Sequence, residues 1–237
     1  FPATLNLFYP AWEMLPHESK LPHVDVISDR LETLVALSNS SASDHRRSAI
    51  VITSVTALLQ KSFPPSEIQK RTRSLKRGDK IEPLDLIEWL EEQGYEPEAQ
   101  VSQRGEISLR GGIVDLWPLV SPWPVRLEFF GDELESLRYF DPFSQISKGE
   151  ILEITIPPGG ELGILKRETQ SAERGTEALA TLLDYLPPET IFLICEPELI
   201  EQQAERYAEQ VPEGDRFFIS WKEFRGEIAK RKITTVS

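Results

Sequence analysis

Two arginines and a phenylalanine, Arg110, Arg126 and Phe130, are the side chains of this sequence whose types and spacing suggest a purposeful surface. They belong to "SLRGGIVDLWP" (residues 108–118) and "PVRLEFFGDELESLRYFDP" (124–142), both of which read as strand sequence. Period-two alternation along "PVRLEFFG" sends Val125, Leu127 and Phe129 to one face and Arg126, Glu128 and Phe130 to the other. With the first set in the core, Phe130 stands in solvent beside Arg126. Gly111 and Gly112 interrupt the preceding strand, suggesting a bulge or a close approach of another backbone. Arg110, just before them, then shares a face with Arg126 across the hairpin. Guanidinium forks and aromatic rings give large contact at modest entropic cost, so such a cluster suits protein docking. The blander alternative pairs Arg126 with Glu128 or Glu106 on a wet surface and tucks Phe130 under a loop.

Catalytic patterns are missing. No Gly-Lys pair occurs, so there is no P-loop lysine, and the glycines at 159, 160 and 163 read as a flexible turn rather than a dinucleotide fingerprint. "IFLICEP" places Cys195 and Glu196 where a Mg²⁺-holding carboxylate would end an apolar strand, and Glu196 reads better as a cap than as a ligand. His17, His23 and His45 have no partners at metal-site spacing, and no Gly-x-Ser-x-Gly elbow is present. The expectation is therefore no enzyme activity, no cofactor and no metal in this chain.

The elements that must position the arginines follow from the hydrophobic pattern. The 237 residues are 40% hydrophobic and 27% charged, an ordinary globular composition, with no apolar run long enough for a bilayer span. A single cysteine excludes an intrachain disulfide and agrees with a reducing, cytoplasmic setting. The net charge of −13 opposes contact with a phosphate backbone. One basic segment, "KRTRSLKRGDK" (70–80), reads as a solvated helix end and loop, because seven carboxylates follow it between Glu82 and Glu98. A first residue of Phe rather than Met leads to the expectation of a fragment of something longer.

"LNLFYPAW" reads as a strand and turn, and "RLETLVAL" as a helix capped by Ser28 or Asp29. "AIVITSV" reads as a strand buried on both faces and "TALLQKSF" as the next helix. Beyond Pro64-Pro65 come a helix over 84–93 and the strands "YEPEAQVS", "GEISLRGGIVDLWP", "PVRLEFFGD", "ELESLRYFD" and "GEILEITIP", an antiparallel α+β unit. After Pro157-Pro158-Gly159-Gly160 and a polar segment, "TEALATLLDYL", "TIFLICEP", "ELIEQQAERYAEQ" and "RFFISW" alternate as helix, strand, helix, strand. The fold class is α/β: a discontinuous parallel domain, residues 1–63 and 157–237, with a small antiparallel domain, 64–156, inserted into it.

"YPAWEMLPHE", "VDVISDRLETLVAL", "IVITSVTALLQ", "RGEISLRGGIVDLWP", "PVRLEFFGDELESLRYFDPFSQ" and "DYLPPETIFLICEPELIEQQAER" resemble, in order and spacing, the N-terminal UvrB-homology region of the bacterial transcription-repair coupling factor family (Mfd). The resemblance implies a degenerate P-loop-NTPase-like α/β domain, similar to UvrB domain 1 in parts 1a and 1b, around a domain-2-like UvrA-binding insert. It implies an adaptor that docks UvrA and recruits nucleotide excision repair to stalled RNA polymerase. ATP, Mg²⁺, DNA and polymerase are expected to be handled by other domains of the full-length protein. By motif position the UvrA-binding residues fall on Arg110, Arg126 and Phe130. A UvrB-type ATPase fragment and an autoinhibitory domain are the alternatives. On this reading Arg126→Glu is predicted to abolish capture of the chain in a UvrA pull-down with the fold intact, and Arg126→Ala to cost roughly 1 to 4 kcal/mol of binding.

Overall fold

The computed structural model describes residues 4–39, 48–170 and 179–237; His45 and the start of the helix expected over 176–186 lie outside these. The structure is mixed α/β. It divides into two compact units, one of residues 1–67 and 165–237 and the other of residues 68–164.

The first unit opens with strand β1 (Leu5–Tyr9), helix α1 (Val24–Asn39), strand β2 (Ala49–Thr53) and the short helix α2 (Val55–Leu58). β1 and β2 pair in parallel, Leu7 opposite Val51, as a crossover helix requires. α1 starts about a turn earlier than expected. Ile27 extends the apolar face that Leu31 and Leu34 continue, and His23 Nδ1 accepts the backbone N–H of Asp25, so Ser28 lies inside the helix. Arg30 is fully buried: it donates to the Pro10 carbonyl (2.8 Å) and the Tyr9 hydroxyl (2.7 Å), and its guanidinium lies over the Tyr9 and Trp12 rings. "YPAW" is thus clamped to α1. Ile50 and Ile52, on the outer face of β2, are exposed, so this strand is not covered on both sides among the described residues.

Helix α3 (Pro65–Arg71) leads into the second unit. There follow β3 (Arg73–Lys76), α4 (Pro83–Glu92), β4 (Glu96–Pro97), β5 (Glu106–Arg110), β6 (Ile113–Leu116), β7 (Val125–Phe130), β8 (Glu133–Phe140), β9 (Ser147–Glu150) and β10 (Glu153–Ile156). β4 to β9 form one six-stranded sheet in sequence order, antiparallel except for the short β4–β5 pair. β3 and β10 pair separately, so part of the basic 70–80 segment is strand rather than loop. Pro83 opens α4 at a position whose N–H has no helical partner. Leu86 and Leu90 of α4 are fully buried in a core with Ile107, Val114, Leu116, Val125, Leu127, Leu134 and Leu137. Each of these strand residues is separated by two or a multiple of two from its neighbours on the same strand except where the β8 register shifts, which is the alternation that leaves the opposite face free for Arg110 and Arg126.

Helix α5 (Leu162–Gln170), a 3-10 turn over Leu182–Tyr185, β11 (Ile191–Leu193), α6 (Pro197–Ala208), α7 (Trp221–Lys230) and β12 (Thr234–Val236) complete the chain. Three expectations are corrected here. The 162–170 segment is helical; "TLLDY" closes into a 3-10 turn through a Thr181–Asp184 capping box. The parallel partner of β11 is β12, because "RFFISW" makes one isolated bridge, Gln60 to Phe218, before Ser220 caps α7. The first unit therefore holds two parallel strand pairs, β1–β2 and β11–β12, rather than one continuous sheet among the described residues. β11 is also less covered than a doubly buried strand, with Ile191 and Leu193 exposed.

"PPGG" is not loose. The Gly159 N–H donates to the Gln93 carbonyl (2.8 Å), and a Cβ on Gly159 would stand 2.8 Å from Tyr95, so only glycine fits. The Tyr95 hydroxyl in turn donates to the Pro157 carbonyl (2.9 Å). This packing carries the second unit past residue 156. Burial pushes the Tyr95 phenol far above its ordinary value near 10, offset in part by a hydrogen bond from the Leu119 backbone. The unfolded chain releases this proton near pH 10 and the folded one retains it, so its contribution is complete below pH 10 and declines above it by about 1.4 kcal/mol per pH unit. In denaturant titrations from pH 8 to 11, Tyr95→Phe should be about 1 kcal/mol less stable than the native chain at pH 8. The gap should close as the pH passes 10; a constant gap would contradict the buried, protonated phenol.

Candidate functional site

The hairpin that carries Arg110 is set by two glycines. Gly111 has a left-handed backbone (φ 62°), and Gly111-Gly112 form a two-residue turn that places Arg110 opposite Ile113. The expected single strand 108–118 is thus two strands, and the glycines are their turn rather than a bulge. The close approach is real. Phe129 donates its N–H to the Gly112 carbonyl (2.8 Å), and a Cβ on Gly112 would meet the Phe129 carbonyl oxygen at 2.8 Å.

With that turn in place, Asp115 lies opposite Ser108 on one side and Arg126 on the other. Its carboxylate is 0% exposed. Arg126 grips it edge-on, Nε to Oδ1 at 2.7 Å and Nη2 to Oδ2 at 2.8 Å, and Arg110 Nη2 reaches Oδ2 at 2.6 Å. A buried carboxylate is tolerated only when charge and hydrogen bonds replace its water, and the bidentate fork is the strongest way to do so. The hydrogen bonds that Arg126 donates to Asp115 raise its pKa, keeping the guanidinium charged at any ordinary pH. Arg126 also lies over the Phe140 ring (4.8 Å) and donates through Nη1 to the Gln145 carbonyl (3.4 Å). Its side chain is 15% exposed, against 49% for Arg110.

Neither anticipated partner of Arg126 takes that role. Glu128 accepts from Ser136 and pairs with Arg138, while Glu106 closes the turn at Ser102 and Gln103. Phe130 does not tuck under a loop: it is 76% exposed at the end of β7, opposite Glu133. The register shift beside Phe129 falls on β8, where Glu135 is the extra residue, so alternation along β7 keeps Phe130 on the Arg126 face. Four residues of strand put it about 13 Å from Arg126. The structure thus joins Arg110 and Arg126 through one carboxylate and leaves Phe130 as a separate apolar projection on the same face. Asp115 is the member that sequence reasoning missed. Its signal was an acid inside the apolar run "IVDLW", at a position whose neighbours Val114 and Leu116 both face the core.

Other sequence candidates stay apart. His17 and His23 are exposed. Cys195 is exposed, and Glu196 takes the N-cap position of α6 in a left-handed conformation without a side-chain cap bond. Among the described residues no group of three His, Cys, Asp or Glu has metal-holding geometry, and no helix is long and apolar enough to cross a membrane.

Residues 74–161, from β3 to just past β10, match the family model of the UvrB interaction domain. Most of the chain is similar to part of the transcription-repair-coupling factors. It is 31% identical over 234 residues to that of Haemophilus influenzae, covering 84% of this chain and 20% of the relative. It is 37% identical over 150 residues to that of Escherichia coli (63% and 12%) and 36% over 182 residues to that of Bacillus subtilis (76% and 15%). The chain spans a fifth or less of the length of these relatives.

The geometry revises the choice of test at Arg126. A Glu there would face the buried Asp115, so Arg126→Glu should disturb the sheet as well as any docking. Arg126→Ala, which leaves Asp115 with one bond to Arg110, should cost roughly 3 kcal/mol of folding stability. Arg110→Ala, which leaves the bidentate pair intact, should cost under about 1 kcal/mol. Denaturant midpoints of the two variants check this, and equal losses would contradict the unequal roles.

Proposed function

We propose that this chain is a non-catalytic adaptor region that docks UvrA and so brings nucleotide excision repair to RNA polymerase stalled at a lesion, as part of a longer transcription-repair-coupling factor. The observation that carries the reading is the outer face of the UvrB interaction domain segment, where two arginines share one buried carboxylate and Phe130 projects into solvent. Two guanidiniums share one buried carboxylate, and Arg110, half exposed, keeps charge and N–H donors to spare. A partner carboxylate matches that charge, with planar fork geometry that lysine does not offer, and an apolar recess receives Phe130.

The rest of the chain suits a scaffold. The α/β unit takes the place of a degenerate P-loop-NTPase-like domain, split into two parts around the insert, with no cofactor of its own. ATP and Mg²⁺ serve motor domains elsewhere in the full-length protein, which also hold DNA and polymerase. The net charge of −13 supports a protein partner rather than a nucleic-acid one for this piece. The place of action is the bacterial cytoplasm, where the stalled polymerase is.

Arg110→Ala and Phe130→Ala truncate exposed side chains without placing a new charge beside Asp115 and are the clean variants. Each should leave thermal unfolding within a degree or two of native and weaken UvrA binding at least about tenfold. Native-like binding by both in a UvrA titration would refute the docking face.

A further inference from the structure

We propose that Asp115 is a positioning residue for docking: held out of water between Arg126 and Arg110, it sets the direction in which both offer their remaining N–H groups to a partner carboxylate. This rests on the docking reading above.

The geometry makes Asp115 a strut rather than a competitor. It occupies the Nε and Nη2 edge of Arg126, Nη1 of which is tied to the Gln145 carbonyl, while the guanidinium lies over Phe140. A side chain with four flexible torsions is thereby fixed before any partner arrives, and pre-ordering of this kind lowers the entropic cost of association. Arg110 spends one Nη2 hydrogen on Asp115 Oδ2 and keeps the other four of a guanidinium's five donors unbonded among the described residues. Since Oδ2 receives both arginines, at 2.8 and 2.6 Å, the two guanidiniums are held side by side despite their like charge. Without the carboxylate they would repel, and Arg110, half exposed on the last residue of β5, would swing into solvent.

Charge and positioning make opposite forecasts, which makes the idea testable. Asp115→Asn keeps the shape and makes the local charge one unit more positive. If charge alone governed docking, an acidic partner would bind more tightly. If Asp115 aims the arginines, binding weakens. The affinity of the 237-residue chain for purified UvrA should be titrated for native, Asp115→Asn, Arg110→Ala, Phe130→Ala and the Asp115→Asn/Arg110→Ala pair, at a temperature where circular dichroism shows each folded. The expected result is roughly tenfold weaker binding by Asp115→Asn, with a smaller effect of the same change when Arg110 is already Ala. Equal or tighter binding by Asp115→Asn, alongside weakened Arg110→Ala and Phe130→Ala, would overturn the positioning role and leave the docking reading standing. Native binding by Arg110→Ala and Phe130→Ala would overturn both.

Should Asp115→Asn not fold, native protein labelled with ¹⁵N-arginine answers the same question. The Arg126 Nε–H signal should be protected from exchange and unmoved when UvrA is added. Its release into fast exchange on binding would show the pair breaking to make the complex, contrary to the proposal.

Discussion

A carboxylate placed in the middle of a strand and shut off from water must be answered by positive charge, and Asp115 is answered twice. Removing an ion from water costs several kcal/mol, and that cost is offset only by close, well-aligned partners. Arg126 supplies the alignment through a planar two-bond fork, and Arg110 supplies a third contact from the neighbouring hairpin strand. Three strands, β5, β6 and β7, are thereby tied together on the face opposite the core. The same arginine reaches the 141–146 turn through the Gln145 carbonyl.

Arginine serves this protein in three ways, sorted by burial. Arg30 is wholly interior and works as a clamp, its guanidinium sandwiched by aromatic rings and bonded to the turn that follows β1. Arg126 is mostly covered, with Asp115, the Gln145 carbonyl and the Phe140 ring as its partners. Arg110 is half exposed and offers most of its donors to solvent. The charge is common to all three; what differs is how many of the five N–H groups the fold consumes, and the number left over sets how much each can give to a partner. Phe130 adds what no guanidinium can, an apolar ring standing clear of the sheet that gains by leaving water.

The two compact units divide this work. In the second, a full apolar layer formed by α4 and the inner sheet face stabilises the platform, and "PPGG" is locked against Tyr95 rather than left as a hinge. In the first, short parallel pairs carry exposed apolar residues on their outer faces, and helices cover the other side.

The amino-acid order by itself determined whatever depends on local period. Val125, Leu127 and Phe129 facing the core while Arg126 and Phe130 face out, the Pro-led helix α4, and β–α–β at the start of the chain all follow from side-chain spacing on a strand or helix. The resemblance of the "RGGIVDLWP" block to a known family was equally legible. Tertiary structure alone decided which charges meet. The eight residues between β6 and β7 leave their register open, so nothing in the order of residues placed Asp115 opposite Arg126 rather than Glu128 or Glu106. The same holds for β12 displacing "RFFISW" beside β11, and for two glycines near residue 160 being packed instead of free. Periodicity is encoded within a few residues, whereas strand register and the burial of a charge are settled by contacts between segments far apart in the chain.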